Sequence, residues 1–212
     1  MNVCHTSLSF KYGTLSPKQL FDEARRCGVR KLVLAEINNT ASYIEMLRIC
    51  EKSRRVNGSL DRYGNEGYDL EIAVGVEVRE SNEFLYLLIA QNNNGFESIN
   101  RFLSQHSREK KPFPRRAPEL ADVFVVYPYP TMDEVPLRDY EFIGVRKHQL
   151  NHFSIRAAQR SDRYVIFHPV TFSSRMDFNV HRLLRAIDLN TLLSKLPPQH
   201  QALPEEIMMP DE

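Results

Sequence analysis

The sequence has little of what marks secreted or membrane proteins. Its three cysteines are an odd number without a close CxxC pair, so no disulfide framework is indicated and a reducing compartment fits best. No apolar run approaches the twenty residues of a membrane span, and the N-terminus lacks the apolar core of a signal peptide. The formal net charge is only +1, which gives no global field to attract DNA or an anionic membrane. These features predict a cytoplasmic protein with no membrane partner.

Glycine is also scarce, at 8 of 212 residues, and none of the glycines belongs to a phosphate-binding loop. Neither GxxxxGK[ST] nor GxGxxG occurs, which disfavours an ordinary nucleotide-binding fold. A chain of 212 residues with 42% hydrophobic residues can bury a core without a disulfide or a metal to stabilise it. Any bound metal would therefore serve chemistry.

Short apolar runs alternate with helix-period segments, which is the pattern of βα units around a largely parallel sheet. The clearest helix begins at Ser16-Pro17, an N-cap followed by proline, and ends at Gly28. The strands are predicted over 2–9, 31–36, 70–78, 84–90, 123–127, 141–145 and 164–167. Further helices are predicted after residue 40, with Ile44, Leu47 and Cys50 on one face, and over 95–105, 146–159 and 178–196. The pattern leaves a βα barrel and a doubly wound sheet as the two candidate folds.

Two segments are predicted to be loops. One is the polar stretch 57–68, and the other is the basic, proline-interrupted stretch 108–116. A basic stretch of this kind is most often a solvated connector. The alternative is a contact with nucleic acid, whose affinity would fall steeply with salt.

The carboxyl ends of the predicted strands carry the residues that could perform chemistry, as is usual in parallel βα proteins. Four of them, His5, Glu36, Glu77 and His168, have the ligand types that suit Zn²⁺ or Mn²⁺. They do not have a fixed metal-ligand spacing such as HExxH, and each could be an ordinary hydrogen-bonded residue. The residues alone leave both interpretations open.

Several segments resemble one family. VCHTSLSFKYG at 3–13, with the strand and turn that reach AEINN at 35–39, resembles the opening of the PHP domain (polymerase and histidinol phosphatase). GVEVR at 75–79 is similar to the family's GxE motif, and FLYLLIAQNNNGFESINRFLS at 84–104 resembles its HLVLLAKNxxGYxNLxxLxS segment. The resemblance is to the PHP domains at the N-terminus of bacterial DNA polymerase III alpha subunits. It implies an α/β fold, a distorted seven-stranded (β/α) barrel.

The chain departs from the family at its metal site. An intact PHP site holds a cluster of metal ions that activates a hydroxide for phosphoester hydrolysis. Here the first histidine of the HxH motif is Val3, the Asp-His pair is Glu36-Ile37, a later histidine falls on Leu85, and the final DxH is Ile-Phe-His at 166–168. Such replacements remove donors and line the site with apolar surface, so a metal cluster is not expected. The possible ligands of one residual Zn, Mn or Mg ion are His5, Glu36, Glu77 and His168.

The resemblance implies that residues 1–196 are the PHP domain of a DNA polymerase III alpha subunit, a DNA-directed DNA polymerase (nucleotidyltransferase) of bacterial DNA replication. A degraded metal site leaves this domain a scaffolding role, with the rest of the alpha subunit and the proofreading exonuclease subunit as expected partners. DNA would be met only through that assembly, and this chain is not expected to polymerise DNA. Residues 197–212 are expected to be an acidic tail or linker toward a polymerase region. The alternative is a free-standing metal-dependent phosphoesterase of the PHP family.

Overall fold

The computed structural model describes residues 1–55, 67–132, 136–152 and 161–210. Within these ranges the strands form one sheet in the order β7-β6-β5-β4-β3-β2-β1-β8. Their bounds are Asn2–Cys4 (β1), Lys31–Ile37 (β2), Glu71–Glu80 (β3), Glu83–Ala90 (β4), Val123–Pro128 (β5), Glu141–Val145 (β6), Tyr164–Ile166 (β7) and His168–Val170 (β8). Neighbouring strands are parallel except that β4 runs antiparallel to both β3 and β5. One end of the sheet therefore collects the carboxyl ends of every strand but β4, and we call this end the mouth.

A single bent segment closes the sheet. β7 pairs with β6 and β8 pairs with β1, and only Phe167 separates β7 from β8. Phe167 N still donates to Val145 O (2.9 Å) on the β6 side, whereas His168 N donates to Met1 O (3.1 Å) on the β1 side. If β7 and β8 are counted as one bent strand, the sheet has seven strands and is the predicted distorted seven-stranded (β/α) barrel.

The helices in the described ranges are Pro17–Cys27 (α1), Tyr43–Arg54 (α2), Asn93–Glu109 (α3) and Arg175–Asp188 (α4). None of these helices is long and apolar enough to cross a bilayer. The prediction for α1 is confirmed at both ends. Ser16 and Gln19 form a reciprocal capping box, and Gly28 ends the helix at φ 74°, a conformation that favours glycine.

The side chains of each strand alternate between the barrel interior and the outer helices. On β2, Val33 and Ala35 pack in the interior with side chains from across the barrel, while Leu32 and Leu34 pack against the helices. By the same alternation, Glu36 belongs to the outer face of β2. Val3 is interior, so His5, two residues later, also points inward.

Some predicted elements differ from the structure. The first strand ends at Cys4 because the following residues turn, with Ser9 N donating to Thr6 O (2.9 Å). On α2 the buried side chains are Met46 and Cys50, while Ile44 is 51% exposed, so the predicted apolar face was partly wrong. Of the helix predicted over 146–159, the structure shows a 3-10 turn at Lys147–His152, and 153–160 lie outside the described residues. The predicted loop 57–68 falls mostly outside them as well.

Two further segments differ. The helix predicted over 178–196 ends at Asp188, because Asn190 adopts a positive φ of 48° and a separate 3-10 turn follows at Leu193–Lys195. The basic stretch is helical up to Glu109. Its last two arginines are engaged within the chain, Arg115 with Glu83 (3.1 Å) and Arg116 with Glu141 (2.6 Å).

The segment predicted as a tail packs on the barrel. Its side chains Ala202, Glu206 and Met208 are buried. Thr171 N donates to Glu206 O (2.9 Å), next to the mouth, and Asn2 Nδ2 donates to Met209 O (3.0 Å) at the opposite end. Residues up to 210 therefore lie along β8 and β1 rather than extending away from them.

Candidate functional site

Two of the four predicted metal ligands meet in the barrel interior near the mouth. His5 follows β1, and Glu77 lies on the interior face of β3. His5 Nε2 and Glu77 Oε2 are 3.0 Å apart, and the side chains are 0% and 2% exposed. The pair is therefore shielded from water.

A guanidinium occupies the other oxygen of Glu77. Arg79 lies two residues further along β3, on the same face, and its Nε donates to Glu77 Oε1. Burial by itself would raise the pKa of Glu77, but the charge of Arg79 and the contact with His5 outweigh it and lower the pKa to about 2. Glu77 is thus a carboxylate whose two oxygens are both used by protein donors.

Tyr12 covers this ion pair. The Arg79 guanidinium lies 4.2 Å from the centroid of the Tyr12 ring, and the Arg185 guanidinium lies 5.6 Å from it. The ring of His5 makes an edge contact with the same tyrosine at 5.5 Å. Burial raises the pKa of the Tyr12 hydroxyl to about 12, so the phenol is neutral at physiological pH. The ring holds two cations by cation–π contact.

His181 supports Tyr12 from α4. Its Nδ1 donates to Tyr12 O (2.7 Å), and its Nε2 accepts from Ala202 N (2.8 Å). The carbonyl and the amide fix the neutral tautomer, and burial lowers the pKa of His181 to about 4. Because both ring nitrogens are engaged, His181 is a structural residue of the mouth.

The structure places Glu36 apart from His5 and Glu77. It lies on the outer face of β2, as the alternation requires, and is 1% exposed. Its carboxylate accepts from Thr6 N (3.1 and 3.2 Å), Thr6 Oγ1 and Ser9 Oγ. Glu36 therefore anchors the turn that follows β1.

His168 lies at the opposite end of the barrel. It is the first residue of β8 and pairs with Asn2, whereas the mouth end of β8 is Val170, whose carbonyl accepts from His5 N (2.9 Å). His168 Nε2 donates to Ile207 O at 2.7 Å. The sequence predicts that His168 follows the last strand, whereas the bent segment continues for two more residues beyond it.

These placements decide whether the residues fit the metal that an intact PHP site would hold. The described residues contain no group of three or more His, Cys, Asp or Glu side chains that could hold a metal ion. A structural or catalytic zinc takes at least three protein ligands, and His5 with Glu77 supplies two. The Arg79 guanidinium already provides a positive charge beside the carboxylate. The donor set does not fit a metal cluster.

A pocket of about 410 Å³ opens at the mouth above Arg79 and Tyr12. Its charged groups are paired within the protein. Arg146 Nη1 contacts Glu206 Oε1 at 3.1 Å, and Thr171 Oγ1 donates to the other oxygen of that carboxylate (2.8 Å). The other charged residues of the described lining, Arg79 and Glu83, pair with Glu77 and Arg115.

Two buried nitrogens in this region have no hydrogen-bond partner in the described part of the chain. They are Nδ1 of His5 and Nδ1 of His200, and His200 lines the mouth pocket. Buried polar atoms are usually satisfied by protein or by ordered water.

Sequence reasoning missed Tyr12, Arg79 and His181. Arg79 could have been found, because it closes the GVEVR motif and strand alternation puts it on the side of Glu77. Tyr12 and His181 have no such signal. They meet only because α4 packs on the turn after β1, a contact 169 residues apart in the chain.

Comparison with solved structures gives distant matches. An amidohydrolase from Chromobacterium violaceum is 10% identical over 79% of this chain and 87% of its own, with a TM-score of 0.42. A protein from Bifidobacterium adolescentis, named as a proposed metal-dependent phosphoesterase, is 14% identical over 98% of this chain and 91% of its own, with a TM-score of 0.39. No curated protein matches. The model of the PHP domain matches residues 3–130, which is more than half of the chain. The chain belongs to the PHP domain family.

Proposed function

We propose that this chain is a PHP barrel that acts as a structural, protein-binding module and not as a phosphoesterase. The observation that carries the proposal is the interior ion pair, in which Arg79 and His5 together use both oxygens of Glu77. In place of a metal with exchangeable water, the site has a guanidinium that is permanently protonated and offers only donors.

The energetics of that pair oppose metal entry. A metal bound to Glu77 would have to displace Arg79, which is only 13% exposed. The displaced guanidinium would then lose its carboxylate partner in a buried place, a change that is strongly unfavourable. Among the described residues of the mouth, Arg146 is likewise engaged by Glu206 and is not free to bind a phosphate ester.

We further propose that the module belongs to a bacterial DNA polymerase III alpha subunit. The support is the sequence resemblance, above all the long segment 84–104. In this role the barrel contacts the rest of the alpha subunit or the proofreading exonuclease subunit, and DNA is reached through that assembly.

A second candidate is a metal-dependent phosphoesterase. The observation in its favour is that His5 and Glu77 still meet in the interior and that His5 Nδ1 is buried without a partner among the described residues. This candidate requires Arg79 to leave Glu77 so that the two ligands and further groups can gather around a metal.

Metal content and hydrolysis separate the two candidates. The protein is purified without chelator, its Zn, Mn and Fe are measured by mass spectrometry, and hydrolysis of p-nitrophenyl phosphate is followed with added Mn²⁺ or Zn²⁺. We expect substoichiometric metal and no turnover above that of a His5→Ala variant. Stoichiometric metal together with turnover that His5→Ala abolishes would establish the phosphoesterase instead.

The scaffolding half of the proposal has its own test. The chain is immobilised and offered the remaining part of an alpha subunit and the exonuclease subunit separately, each at physiological salt. We expect one of them to be retained. Retention of neither, with the chain folded by circular dichroism, would overturn the assignment to this assembly while leaving the metal result intact.

A further inference from the structure

The last described segment of the chain lies where a barrel usually has a helix. In a (β/α) barrel the helices form an outer ring around the strands. Helix α4 follows β8 but packs at the mouth, where His181 contacts Tyr12 O. Residues 197–210, which we call the strap, cover the outer face of β8 instead, and Met208 is buried in one apolar cluster with Val170. The strap therefore completes the outer layer of the barrel at this strand.

The strap is bound through its own backbone. Its described residues join no strand of the sheet, and their regular structure is limited to the 3-10 turn Pro198–His200. Groups of α4, of β1, and of β8 with the residue after it bond the backbone atoms of the strap one at a time. These contacts are Arg185 Nε to His200 O (2.9 Å), Ala202 N to His181 Nε2 (2.8 Å), Thr171 N to Glu206 O (2.9 Å), His168 Nε2 to Ile207 O (2.7 Å) and Asn2 Nδ2 to Met209 O (3.0 Å). The strap thus lacks the continuous ladder of hydrogen bonds that joins the strands of the barrel.

The carboxylate of Glu206 anchors the strap beside the mouth. The side chain is 3% exposed, its Oε1 contacts Arg146 Nη1 (3.1 Å), and its Oε2 accepts from Thr171 Oγ1 (2.8 Å). A buried carboxylate is stable only with such partners, and removal of one partner is strongly unfavourable. Glu205, the preceding residue, is exposed. The closed position of the strap therefore depends on the side chain of Glu206 and not on acidic charge in general.

The strap also forms part of the wall of the mouth pocket. Residues 198–201 and Glu206 line this pocket of about 410 Å³ together with Arg79 and Tyr12. If the strap detached, this part of the wall would be removed, and Arg79 and Tyr12 would face solvent there. Arg146 would also lose the carboxylate that engages it. The position of the strap therefore controls access to the mouth.

His181 links the strap to Tyr12. Its Nε2 accepts from Ala202 N of the strap, and its Nδ1 donates to Tyr12 O (2.7 Å). Loss of the bond from Ala202 N would leave a buried ring nitrogen without its donor, which is unfavourable. Detachment of the strap would therefore also weaken the support of the tyrosine ring that covers Arg79.

We propose that the strap is a gate of the barrel mouth, which opens as one unit while the barrel stays folded and which Glu206 holds closed. The buried side chains of the described strap are Ala202, Glu206 and Met208, so the strap has little apolar surface to expose on opening. Segments with few buried apolar contacts open at a lower free energy than the core of the same protein. This inference does not depend on the proposed function, because neither metal content nor the binding of a partner subunit bears on it.

Amide hydrogen exchange, measured residue by residue by NMR, tests the opening. The amides of Thr171 and Ala202 donate across the boundary between the strap and the rest of the chain, so opening of the strap exposes both. We expect them to have similar protection factors, at least about tenfold below those of the paired strands β2 and β3. Protection as high as that of β2 and β3 would mean that the strap opens only when the barrel unfolds, and would overturn the proposal. Widely different protection of the two amides would overturn opening as one unit.

Glu206→Gln tests the anchor from the side of the strap. It removes a charge-assisted contact, so the protection of the Thr171 and Ala202 amides should fall about tenfold or more, while that of β2 and β3 stays unchanged. Glu205→Gln is the matched control, because Glu205 is the exposed neighbour, and should alter neither. Unchanged protection of the two amides in Glu206→Gln would overturn the role of Glu206.

Arg146→Gln tests the same contact from the side of the barrel. It leaves Glu206 in place without its cation, so the protection of the two amides should fall by a similar factor. Lys147→Gln is the control, because Lys147 is the exposed next residue, and should have no effect. Equal effects of Arg146→Gln and Lys147→Gln, or a loss of protection in β2 and β3 as large as in the two amides, would overturn the proposal.

Discussion

Arg79 donates to Glu77 from two positions further along the same strand, so the barrel carries its own cation in the interior, beside the histidine that the family would use for metal. The contact follows from strand alternation, which puts both side chains on one face. Because of this contact, the carboxylate of Glu77, which has the chemistry of a metal ligand, is instead one partner of a buried ion pair. Several measurable properties depend on that ion pair.

Replacing Arg79 by Met should destabilise the protein by about 3–5 kcal/mol, because Glu77 would remain as a buried carboxylate without its cation. Met keeps most of the aliphatic part of the arginine side chain and removes the guanidinium that contacts Glu77 and Tyr12. Chemical denaturation with urea measures the change. The control is Arg101→Met, whose partner Glu97 is an exposed i,i+4 residue, and we expect less than about 0.5 kcal/mol there. Equal effects of the two substitutions would contradict a buried role for the Arg79 pair.

Because of Glu77, the free energy of unfolding should decrease at acidic pH. Its pKa is about 2 in the folded protein against an ordinary 4.5, so the unfolded chain binds the extra proton first. The stabilisation is full above about pH 5 and is lost as the pH falls toward 2, for a total of about 3 kcal/mol. In Glu77→Gln the free energy of unfolding should be flatter over this window. An unchanged slope would show that the carboxylate is not paired.

His181 should make the free energy of unfolding depend on pH at higher pH values than Glu77 does. Burial lowers its pKa to about 4 from 6.5, so the unfolded state takes up a proton that the folded state refuses. Stability contributed by the neutral ring is complete above pH 6.5 and declines as the pH falls to 4, again by about 3 kcal/mol. His181→Gln lowers stability at every pH, but it should remove the slope between about pH 6.5 and 5, above the window in which Glu77 acts. A slope that persists there in His181→Gln would show that another group causes it.

The sequence predicts most where its signals are local. Helix α1 is correct at both ends because Ser16, Gln19 and Gly28 determine its caps without help from the rest of the chain. The seven-stranded barrel is also correct, although it followed from the family resemblance. Periodicity left a doubly wound sheet open, since the closure at Phe167 depends on which strands the two halves of one segment pair with.

The candidate site was predicted less well because it depends on strand ends and faces. The sequence predicts His168 at the mouth because the last predicted strand ends at Phe167, whereas pairing with β1 extends the strand to Val170. Glu36 follows an interior residue by one position and therefore faces outward. For α4, the spacing of the apolar residues predicts a helix. The face that the helix buries is determined instead by the polar contacts of His181 and Arg185.

Glu36 points outward from β2 and should stabilise the turn after β1 rather than hold a metal. Its carboxylate accepts from Thr6 N, Thr6 Oγ1 and Ser9 Oγ while 1% exposed, so Glu36→Ala leaves three donors without a charged acceptor. We expect a loss of about 2–3 kcal/mol of unfolding free energy by urea denaturation. Glu45→Ala, an exposed glutamate on α2, is the control and should stay within about 0.5 kcal/mol. Because Glu36 lies away from His5 and Glu77, the substitution should leave the metal content of the purified protein unchanged. A metal that is present in the unaltered chain and lost in Glu36→Ala would instead place Glu36 among its ligands.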